Sequence, residues 1–139
     1  MTAATAFDAD VLIYAASDGH PLGRPVLRLL LDEKAARVGS VLLLTEVLAK
    51  PLRDDPGSDE VAALLSVLSR LDLRPLDEPT ARLALVLATE HGLRAADAAH
   101  LATAIAAGAD RFVTNNRKDF PPSISEIEIV YPVDLDPRG

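Results

Sequence analysis

Two rhythms of apolar and polar positions run along this chain, and they separate strands from helices. Thr5-Ala6-Phe7-Asp8 is a short apolar run that reads as a buried strand, and Val11-Leu12-Ile13-Tyr14 begins a helix directly after it. Pro21 is expected to open a second helix, with Val26, Leu27, Leu30 and Leu31 on one face. A brief strand is expected from Ala36 to Gly39, then Ser40 as the N-cap of a helix from Val41 to about Leu52. Asp54-Asp55-Pro56-Gly57 is a turn, and Ser58 caps a helix whose Val61, Leu64, Leu65, Leu68 and Leu71 recur at helical spacing. Leu71 to Leu76 alternates and reads as a third strand. Pro79 starts a helix that Gly92 can end, and Arg94 to Ala107 forms an alanine-rich helix stopped by Gly108. Arg111 to Thr114 and Ile127 to Tyr131 read as the last strands, with a loop from Asn115 to Pro122 between them and a loosely held tail from Pro132.

Strands that alternate with helices build parallel sheets with helices on both faces. The expected fold is α/β, a three-layer α/β/α sandwich around a mostly parallel sheet of four to five strands. A chain of 139 residues, 49% of them apolar, matches one domain spanning residues 1–139. No charge-free run approaches the ~18 residues of a membrane span, and no basic segment precedes the first apolar stretch as in a secretion signal. The cytoplasm is the expected compartment. With no cysteine there is no disulfide framework, thiolate nucleophile or cysteine zinc site. Histidines 20, 91 and 100 are too scattered to suggest a histidine zinc cage. The net charge of −7 is the wrong sign for holding nucleic acid by bulk attraction, so such a substrate must be gripped locally. Bound divalent cations would supply positive charge at one place, and Lys50, Arg53, Arg94, Arg117 and Lys118 are candidates to contact phosphates.

In an open α/β sheet the ligand crevice lies beyond the carboxyl ends of the strands. Four acids fall there. Asp8 ends the first strand, Glu46 lies on the helix after the second, Asp97 is in the first turn of the alanine-rich helix, and Asp119 is in the loop after the fourth strand. Converging carboxylates repel one another unless a cation sits between them. Oxygen ligands favour magnesium or manganese, and such ions support in-line displacement at phosphorus.

The residues around these acids resemble the PIN-domain nucleases, in particular the toxins of VapC-type toxin–antitoxin pairs. Phe7-Asp8-Ala9-Asp10-Val11-Leu12-Ile13-Tyr14 is similar to the opening motif, and Thr45-Glu46-Val47-Leu48 to the second. Ala96-Asp97-Ala98-Ala99-His100-Leu101-Ala102-Thr103-Ala104 is similar to the third, and the stretch from Phe112 to Phe120 to the fourth. The resemblance covers nearly the whole chain. It implies a magnesium-dependent endoribonuclease that cleaves RNA, pairs with an antitoxin and forms a homodimer. It also implies that Asp8, Glu46, Asp97 and Asp119 are both catalytic residues and metal ligands. Asp10 stands where the family often has Asn or Ser, and Asn116 where some members carry an acid, so both are candidates for supporting roles. Thr114 is a third, able to orient a carboxylate through its hydroxyl.

Each residue also has a plainer role open to it. Asp8 and Asp10 can cap a helix. Glu46 can pair with Lys50 at i,i+4, although it is the only charge between Ser40 and Lys50 in an otherwise apolar run. Asp97 suits a helix dipole, and Asp119 is an ordinary loop acid in that view. His100 lies on the face of Asp97, and a packed, hydrogen-bonded imidazole is favoured over a ligand because hard oxygen sites seldom recruit nitrogen. Two alternative functions stand beside the nuclease: a haloacid-dehalogenase-like phosphatase with Asp8 as nucleophile, and an inert PIN domain that binds RNA or protein.

Overall fold

A computed structural model describes residues 3–135, and the element order follows the alternation seen in the sequence. The strands are β1 (Ala4–Phe7), β2 (Ala36–Ser40), β3 (Asp72–Arg74), β4 (Arg111–Val113) and β5 (Glu128–Val130). They form one sheet in the order β3-β2-β1-β4-β5, and every pairing is parallel. Helices α1 (Ala9–Ala16), α2 (Gly23–Leu31), α3 (Leu43–Asp54), α4 (Asp59–Leu68), α5 (Glu78–His91) and α6 (Ala95–Ala106) connect the strands.

Side chains on a strand point alternately to the two faces of the sheet, and the core divides accordingly. Ala6, Val38 and Phe112 pack with Leu87, Leu101 and Ala102 of α5 and α6. Phe7 and Val113, one residue further along their strands, pack with Val11, Leu12, Val26, Leu30, Val47, Leu64 and Leu68 of α1 to α4. The result is the expected three-layer sandwich. Among the described residues no helix is long and apolar enough to cross a membrane.

Local signals placed several helix ends correctly. The Ser58 side chain accepts from Val61 N at 3.1 Å, and Pro79 lies in the first turn of α5, whose N-cap, Asp77, the sequence reading did not name. Gly92 ends α5 with φ +67°, a left-handed conformation that glycine adopts without a Cβ clash. Two expected helix starts move. Pro21 lies in a turn and α2 begins at Gly23, whose place is set by contact: a Cβ there would stand 2.1 Å from the Tyr14 carbonyl oxygen. Ser40 ends β2 and does not cap α3. Its Oγ accepts from Leu42 N at 3.1 Å, bracing the turn before the helix.

The loop after β4 is tightly packed. Phe120 is fully buried against Phe112, with ring centroids 5.1 Å apart, and the Tyr131 hydroxyl donates to the Phe120 carbonyl at 2.7 Å. The expected loose tail is only partly described. Pro132–Asp134 is a 3-10 turn with Pro132 buried, and Leu135 packs on the core, while residues 136–139 lie outside the described part.

Candidate active site

The connection from β1 runs to β2 on one side while β4 lies on its other side, so the strand order reverses between β1 and β4. In open α/β sheets ligands bind beyond the carboxyl ends of the strands at such a switch point. Asp8 and Thr114 are the first residues beyond them, with Asp8 N donating to Val113 O at 2.9 Å and Thr114 N to Val130 O at 3.0 Å. Backbone pairing thus presents two polar side chains at the crevice floor.

Asp8 is 6% exposed and fully engaged. Its Oδ1 accepts from Ala9 N at 2.8 Å, so it does cap α1, and its Oδ2 accepts from the buried Thr114 hydroxyl at 2.8 Å. The same Thr114 oxygen accepts from Asn116 N at 3.1 Å, which fixes the direction of its proton toward Asp8. Asp10 ties α1 to the loop after β4 by accepting from Val11 N at 2.7 Å and Asn115 N at 3.0 Å. Asn116 and Asp119 clasp each other: Asn116 Nδ2 donates to Asp119 Oδ2 at 2.9 Å and Asp119 N to Asn116 Oδ1 at 3.2 Å.

Burial and neighbouring charge raise several of these acids. Burial pushes the Asp8 carboxyl above its ordinary range, against the lowering influence of its hydrogen bonds to Thr114 and Ala9. Burial, with Asp8 next to it, pushes Asp10 up to about 6. Asp97 is also raised, by burial and then by the charges of Asp8, Asp119 and Glu46. Asp8 and Glu46 bring carboxylate oxygens close enough to share an ion, and Asp97 lies where the charges of Asp8, Asp119 and Glu46 reach it. Asp97 makes no side-chain hydrogen bond among the described residues, and it lies in the first turn of α6, where a negative charge suits the helix dipole.

Glu46 and His100 come together from opposite layers. Lys50, the alternative partner of Glu46, pairs instead with Asp54 at 2.9 Å. His100 corrects the sequence-based expectation in part: it is packed, at 2% exposure, but neither ring nitrogen has a hydrogen-bond partner. Its Nε2 lies 3.0 Å from Glu46 Oε2, close enough for an ion pair if protonated but out of line for a hydrogen bond. One ligand atom each from Asp8, Glu46 and His100 lies within 4.8 Å of the others, a spacing that fits a divalent ion. Of the basic candidates, Arg117 stacks on the Tyr131 ring at 4.1 Å, while Arg53, Arg94 and Lys118 are exposed without an ion pair among the described residues.

The raised acids make a stability prediction for metal-free protein. A folded-state pKa above the unfolded value means that the folded chain binds more protons, so stability is full below the unfolded pKa and declines as pH rises through the folded one. For Asp10 that window runs from the ordinary 3.8 to about 6. In chelator, wild type should lose stability relative to Asp10→Asn between pH 4 and 6.5, by on the order of 1 kcal/mol given its partial exposure. Thermal melts of the two proteins across that range would refute the shift if their difference stayed constant.

Fold and site together define the class: a parallel α/β domain with an acid-lined, metal-compatible crevice at its switch point. Residues 6–121 match the family model of the PIN domain, and the chain belongs to that family. Solved structures of similar fold include a toxin–antitoxin complex from Klebsiella pneumoniae, 23% identical with a TM-score of 0.72, covering 92% of this chain and 97% of that one. The VapBC2 complex of Rickettsia felis, bound to a promoter DNA fragment, is 21% identical with a TM-score of 0.74 and coverages of 92% and 98%. DNA-bound VapBC from Salmonella typhimurium is 19% identical with a TM-score of 0.73 and coverages of 95% and 99%. No curated protein sequence matches the chain. Family membership displaces the phosphatase alternative, and the convergence of Glu46 and Asp97 on Asp8 places two acids for which that alternative has no role.

Proposed function

We propose that this protein is a magnesium- or manganese-dependent endoribonuclease, the toxin of a toxin–antitoxin pair, acting in the cytoplasm as a homodimer. The observation that carries this reading is the close approach of Asp8 and Glu46 at the switch point of a PIN fold, with the Asp97 carboxyl raised by burial and then by the charges of Asp8, Asp119 and Glu46. In this reading the four carboxylates are the catalytic residues and hold the ion. A bound divalent ion lowers the pKa of water and offsets the charge that develops on phosphoryl oxygens. The protein's part is placement. Thr114 orients the Asp8 carboxylate, Asn116 holds Asp119, and Asp10 keeps α1 in register with the loop after β4. Exposed Arg53, Arg94 and Lys118 offset the net negative charge locally by meeting phosphates of a single strand.

An antitoxin has a fitting place beside the acids. Ile13, Ala16, Val47, Pro51 and Leu64 line an apolar groove between α1, α3 and α4, with Glu46 also on its wall. An amphipathic helix laid in such a groove buries its apolar face and can bring a basic side chain to the carboxylates. The direct test is incubation of single-stranded RNA and the matching DNA with purified protein. RNA should be cut internally with magnesium or manganese and left whole in chelator. A protein that binds the ion yet cuts neither strand would be an inert module, and the enzymatic reading would fall.

A further inference from the structure

We propose that the metal centre contains nitrogen: His100 Nε2 joins one carboxylate oxygen each of Asp8 and Glu46, so the site prefers manganese, cobalt or zinc to magnesium. This rests on the metal-nuclease reading and specifies its ion. A neutral imidazole carries one donor and one acceptor, and leaving either buried and unpaired forfeits its hydration without return. Around His100 the helix uses Ala98, Ala99, Leu101 and Ala102, all buried and apolar. A histidine in that company, with both nitrogens unpartnered, is an expensive choice for packing alone. Its Nε2 lies 3.0 Å from Glu46 Oε2, and one ligand atom each of Asp8, Glu46 and His100 lies within 4.8 Å of the others.

An ion in that space completes the acceptor nitrogen, leaves the imidazole proton on Nδ1 and offsets both carboxylates. Hydrogen bonding by Glu46 alone does none of this, because the pair is out of line. Imidazole is a borderline donor that suits the later divalent metals, whereas magnesium keeps to oxygen and water. Asp97 and Asp119, outside this tight trio, then complete the oxygen side of the centre or hold a second ion.

The test uses the full-length chain without a histidine tag. Calorimetric titration should show manganese binding more tightly than magnesium to wild type. His100→Gln should lose ~10-fold or more in manganese affinity with a much smaller change for magnesium, reversing or flattening the preference. Pulsed electron paramagnetic resonance on the wild-type manganese complex needs no variant and should show nitrogen-14 coupling. Manganese binding without that coupling, or with an unchanged ion preference in His100→Gln, overturns the histidine ligand and leaves the nuclease reading standing. A wild type that binds neither ion overturns both.

Discussion

Asp8→Asn and Asp97→Asn should each reduce metal-dependent RNA cleavage by ~10³-fold or more, equivalent to ~4 kcal/mol of barrier, while both variants remain folded. The change keeps side-chain size and removes one negative oxygen from the centre. At Asp8 the amide retains one carbonyl oxygen, enough for the bond from Ala9 N or from Thr114 but not both. Against that loss stands relief of a buried charge, whose cost is visible in the raised Asp8 pKa. At Asp97 no side-chain hydrogen bond is at stake among the described residues. Circular dichroism and a cooperative melt check the fold, and a timed cleavage assay checks the chemistry. Near-wild-type cleavage by either variant would remove that acid from the proposed site.

Metal and mutation should also trade places in stability. In chelator no cation offsets these acids, and part of the cost falls on Asp97, whose carboxyl is raised by burial and then by the charges of Asp8, Asp119 and Glu46. Neutralising Asp97 should therefore leave the metal-free protein as stable as wild type or more so. An ion that binds only the folded state adds ~2.7 kcal/mol at a hundred times its dissociation constant, which for wild type appears as a higher melting temperature. Asp97→Asn should lose most of that rise. Melts of both proteins, in chelator and with millimolar magnesium or manganese, separate a ligand from a structural acid. If Asp97→Asn melted well below wild type in chelator, or kept the whole metal-dependent rise, Asp97 would be a structural residue.

Much of this protein is written in short-range pattern. The stripe of Val61, Leu64 and Leu68, the Ser58 and Asp77 caps and the glycine at position 92 each act within a turn or two of their own helix, so local rules place α4 and α5. The alternation of β and α elements fixes the layers, because a parallel sheet must be covered on both faces. The four candidate acids are read from the same kind of signal, since strand ends point to the ligand crevice and the motifs around them resemble one family. Tertiary packing decided the rest. α2 begins at Gly23 and not at Pro21, and its first residue lies so close to the Tyr14 carbonyl that only one without Cβ fits. β3 is three residues long because β2 offers it pairing only from Val38 to Ser40. The Thr114 bond to Asp8 and the Asn115 bond to Asp10 join segments more than a hundred residues apart that follow neighbouring strands, and no local periodicity encodes them. His100 shows the difference most clearly. Its helical spacing from Asp97 tells which face it shares, but only the meeting of α3, α6 and the end of β1 leaves its two nitrogens unpartnered and turns one toward the acids.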